Sequence, residues 1–213
     1  APGTGKTSIA RALTAHLHRN GATCLSAACH ARESIRFNAF DGIADGMRRA
    51  VAALPEAARA ALRALDDGPL GELFPVLRAA DDDAHIDESV TGELVRREPD
   101  GDARRRAFGA FRALLAGLAA RAPLALVIDD AHRADRDSLD LLAHVFRDPA
   151  PPVALFVLGA RDGLAPLAAL AADRRVPAIV ELALEALTEA EGAVLAELVA
   201  RDHGSTVDAR GIA

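Results

Sequence analysis

Eight residues at the start, Ala1-Pro2-Gly3-Thr4-Gly5-Lys6-Thr7-Ser8, constrain this chain more than any other stretch. They read as GxxxxGK[ST] without its first glycine. In that pattern a glycine-rich turn opens a helix, and successive backbone N–H groups close around a phosphate at the helix N-terminus. Such a loop is delivered by a strand and left by a helix, so it calls for an α/β fold with a doubly wound parallel sheet. Lys6 is the only lysine among 25 basic residues. A chain that otherwise uses arginine keeps one compact ammonium where a forked guanidinium is a poor substitute. On this reading Pro2, Gly3, Thr4, Gly5 and Ser8 line the phosphate loop, Lys6 bridges β- and γ-phosphates, and the Thr7 hydroxyl coordinates Mg²⁺.

The rest of the chain alternates helix and strand as that fold requires. Ile9, Leu13 and Leu17 recur at helical spacing until Asn20-Gly21, and Ala22 to Ala28 reads as a strand. From Phe37, the positions Phe40, Ile43, Met47, Val51 and Leu54 trace a helix up to Pro55, with a second helix through Leu62 and Leu65. Periodicity fails over 79–102, where Asp81-Asp82-Asp83 marks an acidic, flexible insertion. Phe108, Phe111, Leu114, Leu115 and Leu118 share a helical face, and Leu124 to Ile128 is an uninterrupted apolar run, a buried parallel strand. A helix from Asp137 to Arg147, a strand from Val153 to Leu158, a short helix near Pro166 to Asp173 and a strand from Ala178 to Leu184 follow. Thr188 and Glu191 form a capping box.

The chain opens without Met, inside a motif, and ends at an Asp208 helix start, so we expect a piece of a larger protein. Residues 1–187 then form a P-loop core without its first strand, and residues 188–213 begin a further helical segment. A central strand missing between Val153–Leu158 and Ala178–Leu184 would leave residues 1–213 poorly folded alone.

Two further features bear on chemistry. At the end of the buried strand, Val127-Ile128-Asp129-Asp130 places Asp129 where it can hold Mg²⁺ and Asp130 where a base can orient a water molecule. After the next strand, Gly159-Ala160-Arg161 brings a guanidinium to the same sheet edge, able to sense a γ-phosphate or offset charge in a transition state. Catalytic candidates are therefore Lys6, Asp130 and Arg161, and metal candidates are Thr7 and Asp129. Cys24, Cys29 and His30 lack a second ligand pair and read as core thiol and strand end, and Arg104-Arg105-Arg106 at a helix start reads as solvated.

A net charge of −6 disfavours nucleic acid and anionic membranes as direct partners, and no apolar run is long enough to span a bilayer. Two cysteines fit a reducing, cytoplasmic compartment. No GxSxG supports hydrolase chemistry of the serine type, and a sole lysine at position 6 rules out the [NT]KxD motif of GTPases from this segment.

With the glycine loop, the Asp-Asp strand and the later arginine in view, the chain resembles AAA-like ATPases of the STAND class, as in LuxR-type large regulators and bacterial serine/threonine kinase fusions. Cys29-His30-Ala31-Arg32-Glu33-Ser34 with Phe37 to Asp41, and Leu126 to His132 with Ala134-Asp135 and Ser138-Leu139, carry the likeness. It departs at Arg133, where an aromatic is frequent, and at Glu185-Ala186, where a Gly-Pro turn precedes the helical lid. The resemblance implies an ATP/ADP switch that hydrolyses slowly. Its ATP form exposes surfaces to flanking sensor and effector domains or to a second copy, and residues 188–213 begin its lid. The other readings that the residues leave are a nucleotide-binding module without turnover and a small-molecule kinase.

Overall fold

The computed structural model describes residues 4–29, 36–65, 68–78, 101–146, 152–161 and 180–202. Pro2, Gly3, His30, most of the acidic insertion, the helix expected near Pro166 and the Asp208 helix start lie outside them. The chain divides into two compact units, Thr7–Val180 and Ala1–Lys6 with Glu181–Ala213.

The larger unit is an α/β layer. Helix α1 (Lys6–Arg19) leads to β1 (Thr23–Ala28), followed by α2 (Asp41–Ala52), α3 (Glu56–Arg63), α4 (Pro69–Leu73) and α5 (Pro75–Arg78). Helix α6 (Gly101–Ala119) precedes β2 (Leu124–Asp129), α7 (Arg136–Phe146) follows a short 3-10 turn, and β3 (Ala154–Leu158) is the third strand of the sheet among the described residues. The order is β1-β2-β3, all parallel, with Leu25 opposite Leu126 and Leu126 opposite Phe156. Parallel strands need crossovers, and the helical stretches between β1, β2 and β3 supply them. Strand β2 is central and buried from Leu124 through Ile128, as its unbroken apolar run requires. Leu124, Leu126 and Ile128 join the main core, and alternation puts Ala125 and Val127 on the other face.

That core is organised by aromatic rings. Although phenylalanine is the only aromatic type among Phe, Trp and Tyr and only seven are present, every one makes a ring contact. Phe37 meets Phe74 and Phe108 at 5.5 and 5.9 Å, and Phe111 meets Phe40 and Phe74 at 5.3 Å each. Helix α6 contributes Phe108, Phe111, Leu115 and Leu118 from one face, the spacing of an amphipathic helix.

In the larger unit, three sequence expectations are corrected. Helix α2 starts at Asp41 rather than Phe37, because Phe37 has φ 60, a left-handed conformation no helix continues through. Arg104 is not solvated: its guanidinium lies 5.0 Å from the Phe108 ring centre and 5.6 Å from that of Phe37, and pairs with Asp137 at 2.7 Å and Asp140 at 3.2 Å. Two carboxylates from α7 and two ring faces outweigh the unfavourable helix dipole. Asp102, placed in the insertion, instead belongs to the first turn of α6.

Helix α2 lies so close to β1 that glycine is required. A Cβ on Gly42 would stand 2.6 Å from the Ser26 carbonyl oxygen and 3.1 Å from the Ala27 Cα, both backbone. Gly42→Ala must lever α2 off the sheet, and we expect a loss of about 1–3 kcal/mol, which lowers Tm by roughly 2–4 °C per kcal/mol. Gly109→Ala, in α6 with nothing within 4 Å, should raise stability by contrast. Thermal melts of both variants check this, and equal Tm values would refute it.

In the smaller unit, residues 181–188 carry neither helix nor strand, and α8 (Glu189–Asp202) follows. The capping box forms as its sequence predicts: Thr188 N–H donates to Glu191 Oε2 at 2.9 Å, and Glu191 N–H to Thr188 Oγ1 at 3.3 Å. The strand expected over Ala178–Leu184 is absent from the described residues 180–184. Val180 and Leu182 are exposed there, and an apolar alternation does not by itself make a strand. Among the described residues no helix is long and apolar enough to cross a membrane.

Candidate functional site

In the smaller unit, Gly5 has φ +83, a conformation that L side chains rarely adopt, so glycine is needed at the turn into α1. Lys6 opens that helix, and its Nζ donates to Thr4 Oγ1 at 3.0 Å, folding the ammonium back over its own loop. Ser8 is exposed on α1.

The larger unit holds the remaining candidates at the C-terminal end of its sheet. The Thr7 hydroxyl donates to Asp129 Oδ2 at 2.5 Å, joining the start of α1 to the last residue of β2. Asp129 itself is fixed by the ladder. Its carbonyl accepts from Cys29 N–H at 3.0 Å, and its Oδ1 accepts from Asp130 N–H at 2.9 Å. Gly159, just beyond β3, donates to the Ile128 carbonyl at 2.8 Å. A Cβ there would stand 2.7 Å from Asp129 Oδ1, so only glycine lets β3 run this close to the carboxylate.

Asp130 takes the left-handed conformation, φ 51 and ψ 35, which Asp tolerates better than most residues. This reverses the chain and sets its carboxylate beside two guanidinium groups and an imidazole. Arg161 Nε and Arg133 Nη1 are each 3.6 Å away and His132 Nδ1 is 3.9 Å away. These distances are electrostatic contacts, longer than hydrogen bonds. Arg161 N–H donates to His132 Nδ1 at 3.3 Å, so the neutral ring carries its proton on Nε2. Asp130 and Arg161 are therefore neighbours, as are Thr7 and Asp129.

Sequence reasoning passed over Arg133 and His132 as site residues. The signal was present: Arg133 is the position at which the chain departs from the aromatic frequent in the family it resembles. It also passed over Asp135. Burial pushes that carboxyl up, but hydrogen bonds from the Ser138 hydroxyl and from the backbone N–H groups of Ser138, Asn38 and Phe37 outweigh burial and hold it below its ordinary range. Cys29 is buried, and desolvation, reinforced by Asp135, Asp130 and Asp129, pushes its thiol up to about 11. A protonated thiol of this kind packs and does not react.

The donor set suits Mg²⁺. Thr7 and Asp129 are hard oxygen donors, and a hydroxyl that gives its proton to Asp129 keeps lone pairs for a cation. Among the described residues no group of three or more His, Cys, Asp or Glu could hold a metal alone. Mg²⁺ commonly takes one or two protein oxygens and completes its shell with phosphates and water, so this pair fits an ion that arrives with a nucleotide.

The sequence model of a family described as AAA ATPase domain matches residues 1–158. No curated protein and no solved structure matches the chain.

Proposed function

The chain belongs to the AAA ATPase domain family, and from that premise we propose that it is a regulatory switch that binds Mg·ATP, hydrolyses it slowly and serves within a larger signalling protein of the STAND class. The single observation that supports this most is the bond from Thr7 to Asp129, between residues 122 apart in sequence. It joins the hydroxyl following the loop lysine to the carboxylate ending the buried strand, the two groups a nucleotide-bound Mg²⁺ needs.

Each residue then has a role. Gly3, Thr4, Gly5 and Ser8 present backbone N–H groups to the phosphates, Pro2 belongs to the loop without an N–H to donate, and Lys6 neutralises charge on the β- and γ-phosphates. Thr7 and Asp129 would hold Mg²⁺, which when bound supplies charge neutralisation at the transferring phosphoryl group. Asp130 accepts a proton from the attacking water, and Arg161 offsets negative charge developing on the γ-phosphate. The signalling role rests on the STAND resemblance. Flanking sensor and effector domains, and a second copy in the ATP form, are the partners it proposes, in a cytoplasmic setting, with 188–213 as the beginning of a lid.

One observation favours a second reading, a nucleotide-binding module without turnover. The Asp130 carboxylate already faces Arg133 and Arg161 at 3.6 Å each, an arrangement that suits a structural ion-pair partner as well as a base for water. Either reading requires Mg²⁺-assisted nucleotide binding, so calorimetric titration with ATP, with and without Mg²⁺, tests both. We expect Mg²⁺ to tighten binding to the wild-type chain and Asp129→Asn to lose most of that gain, roughly tenfold in affinity. Within the larger protein proposed here, a wild type that binds no ATP, or an Asp129→Asn variant with the full Mg²⁺ effect, would overturn the proposal.

A further inference from the structure

A polar clasp outside the residues given roles above joins the exit of β1 to the turn that follows Asp130. Asp135 is its centre. Its Oδ1 accepts from Ser138 N–H at 2.8 Å, and its Oδ2 from the Ser138 hydroxyl at 2.7 Å and Asn38 N–H at 2.8 Å. Phe37 shapes the other half: its left-handed backbone turns the N–H groups of Phe37 and Asn38 toward one anion, a nest occupied here by the Asp135 carboxylate.

Asn38 answers with its side chain. Its Nδ2 donates to the Arg133 carbonyl at 3.2 Å, and its Oδ1 accepts from Asp135 N–H at 3.3 Å. Ala39 N–H donates to Ser138 Oγ at 3.1 Å. Asn38 and Ser138 are both buried, so water does not readily replace these contacts. The turn Ala131–Arg133 is thus held at both ends. Ala131 N–H donates to the Gly159 carbonyl at 2.7 Å at its start, and Asn38 and Asp135 secure its finish. Between those anchors lie His132 and Arg133, the residues that face the Asp130 carboxylate.

We propose that Asp135 and Asn38 are positioning residues for the hydrolytic site, clasping the Ala131–Arg133 turn so that Arg133 and His132 keep their places around Asp130. The inference rests on the proposed ATPase reading and deepens it. Capping of α7 by Asp135 is complete without Asn38's side chain, so the amide's bonds to the Arg133 carbonyl and to Asp135 N–H act on the end of the turn.

Steady-state hydrolysis of Mg·ATP by the full chain tests this. Asn38→Ala removes both side-chain contacts to the turn and leaves Asp135 capping α7, and Asp135→Asn weakens the whole clasp. We expect each variant to lower kcat by about tenfold with KM within roughly twofold, and the double variant to fall no further than the worse single one. Leu62→Ala is the control for stability, because it removes a buried side chain from α3, which supplies no clasp residue, and it should lower Tm with kcat retained. Should Asp135→Asn unfold at the assay temperature, Asn38→Ala decides alone. An Asn38→Ala variant with wild-type kcat, or with kcat lost only in proportion to the folded fraction, overturns the inference and leaves the proposed function intact. A wild-type chain that binds Mg·ATP in calorimetry without hydrolysing it removes both the hydrolytic reading and this inference, leaving the binding module.

Discussion

Lys6→Ala should leave a chain that no longer binds Mg·ATP measurably by calorimetry, an affinity loss of roughly 100-fold or more. A charge-assisted hydrogen bond to a phosphate contributes about 1.5–3 kcal/mol, and each 1.4 kcal/mol is about tenfold in affinity. The upper end applies because no other lysine exists to substitute. Lys6 begins α1 directly after the left-handed Gly5, and its Nζ rests on Thr4 Oγ1, so the ammonium is held over the loop before any nucleotide arrives. Lys6→Arg should fail as well, since the planar fork needs more room and spreads its charge. Wild-type affinity in Lys6→Ala would refute the assignment of the loop.

Asp130→Asn should separate binding from turnover, with kcat down by about 10²–10³-fold and nucleotide affinity close to wild type. Asparagine occupies the left-handed backbone as readily as aspartate, so the turn through Ala131 survives and the effect is chemical. What is lost is a proton acceptor and the anion that Arg133 and Arg161 face at 3.6 Å. Released from that anion, Arg161 is freer to meet a phosphate, which is why affinity should not fall. Single-turnover and equilibrium measurements on the same variant check the split. Unchanged turnover would remove Asp130 from the chemistry.

Local pattern in the sequence was enough for the elements that are locally determined. The apolar run at Leu124–Ile128 can only be a buried strand, and β2 is one, extended by Asp129. The stretch around Val153 became β3 (Ala154–Leu158), and the Thr188 and Glu191 pair formed the capping box its spacing predicts. Features imposed from a distance were not legible. Phe37 sits on the helical period that predicted α2, yet its backbone is left-handed because Asp135, 97 residues beyond Asn38, gathers the N–H groups of this segment. Arg104 looked solvated because neither Asp137 nor the ring of Phe37 is near it in sequence. The segment through Val180 and Leu182 shows the opposite error, a strand-like alternation in residues 180–184 that carry no strand. Of the candidate site, the sequence marked Thr7, Asp129, Asp130 and Arg161. It did not mark the clasp as a site: Asn38, Asp135 and Ser138 stand in the blocks that carry the family resemblance, but Asn38 and Asp135 meet across 97 residues of sequence.

The backbone at Asp130 also limits which acids evolution or an engineer can place there. Glutamate is an equally good proton acceptor with a longer reach, but its extra carbon does nothing to relieve the clash between Cβ and the carbonyl in a left-handed residue, which costs about 1–2 kcal/mol for ordinary side chains. Aspartate and asparagine offset part of that cost through local hydrogen bonds that a longer side chain makes less well. The φ of 51 therefore acts as a filter on the alphabet at this position. It narrows the choice to short residues, Asp, Asn or Gly, before any chemistry is considered, and among those only aspartate can take a proton.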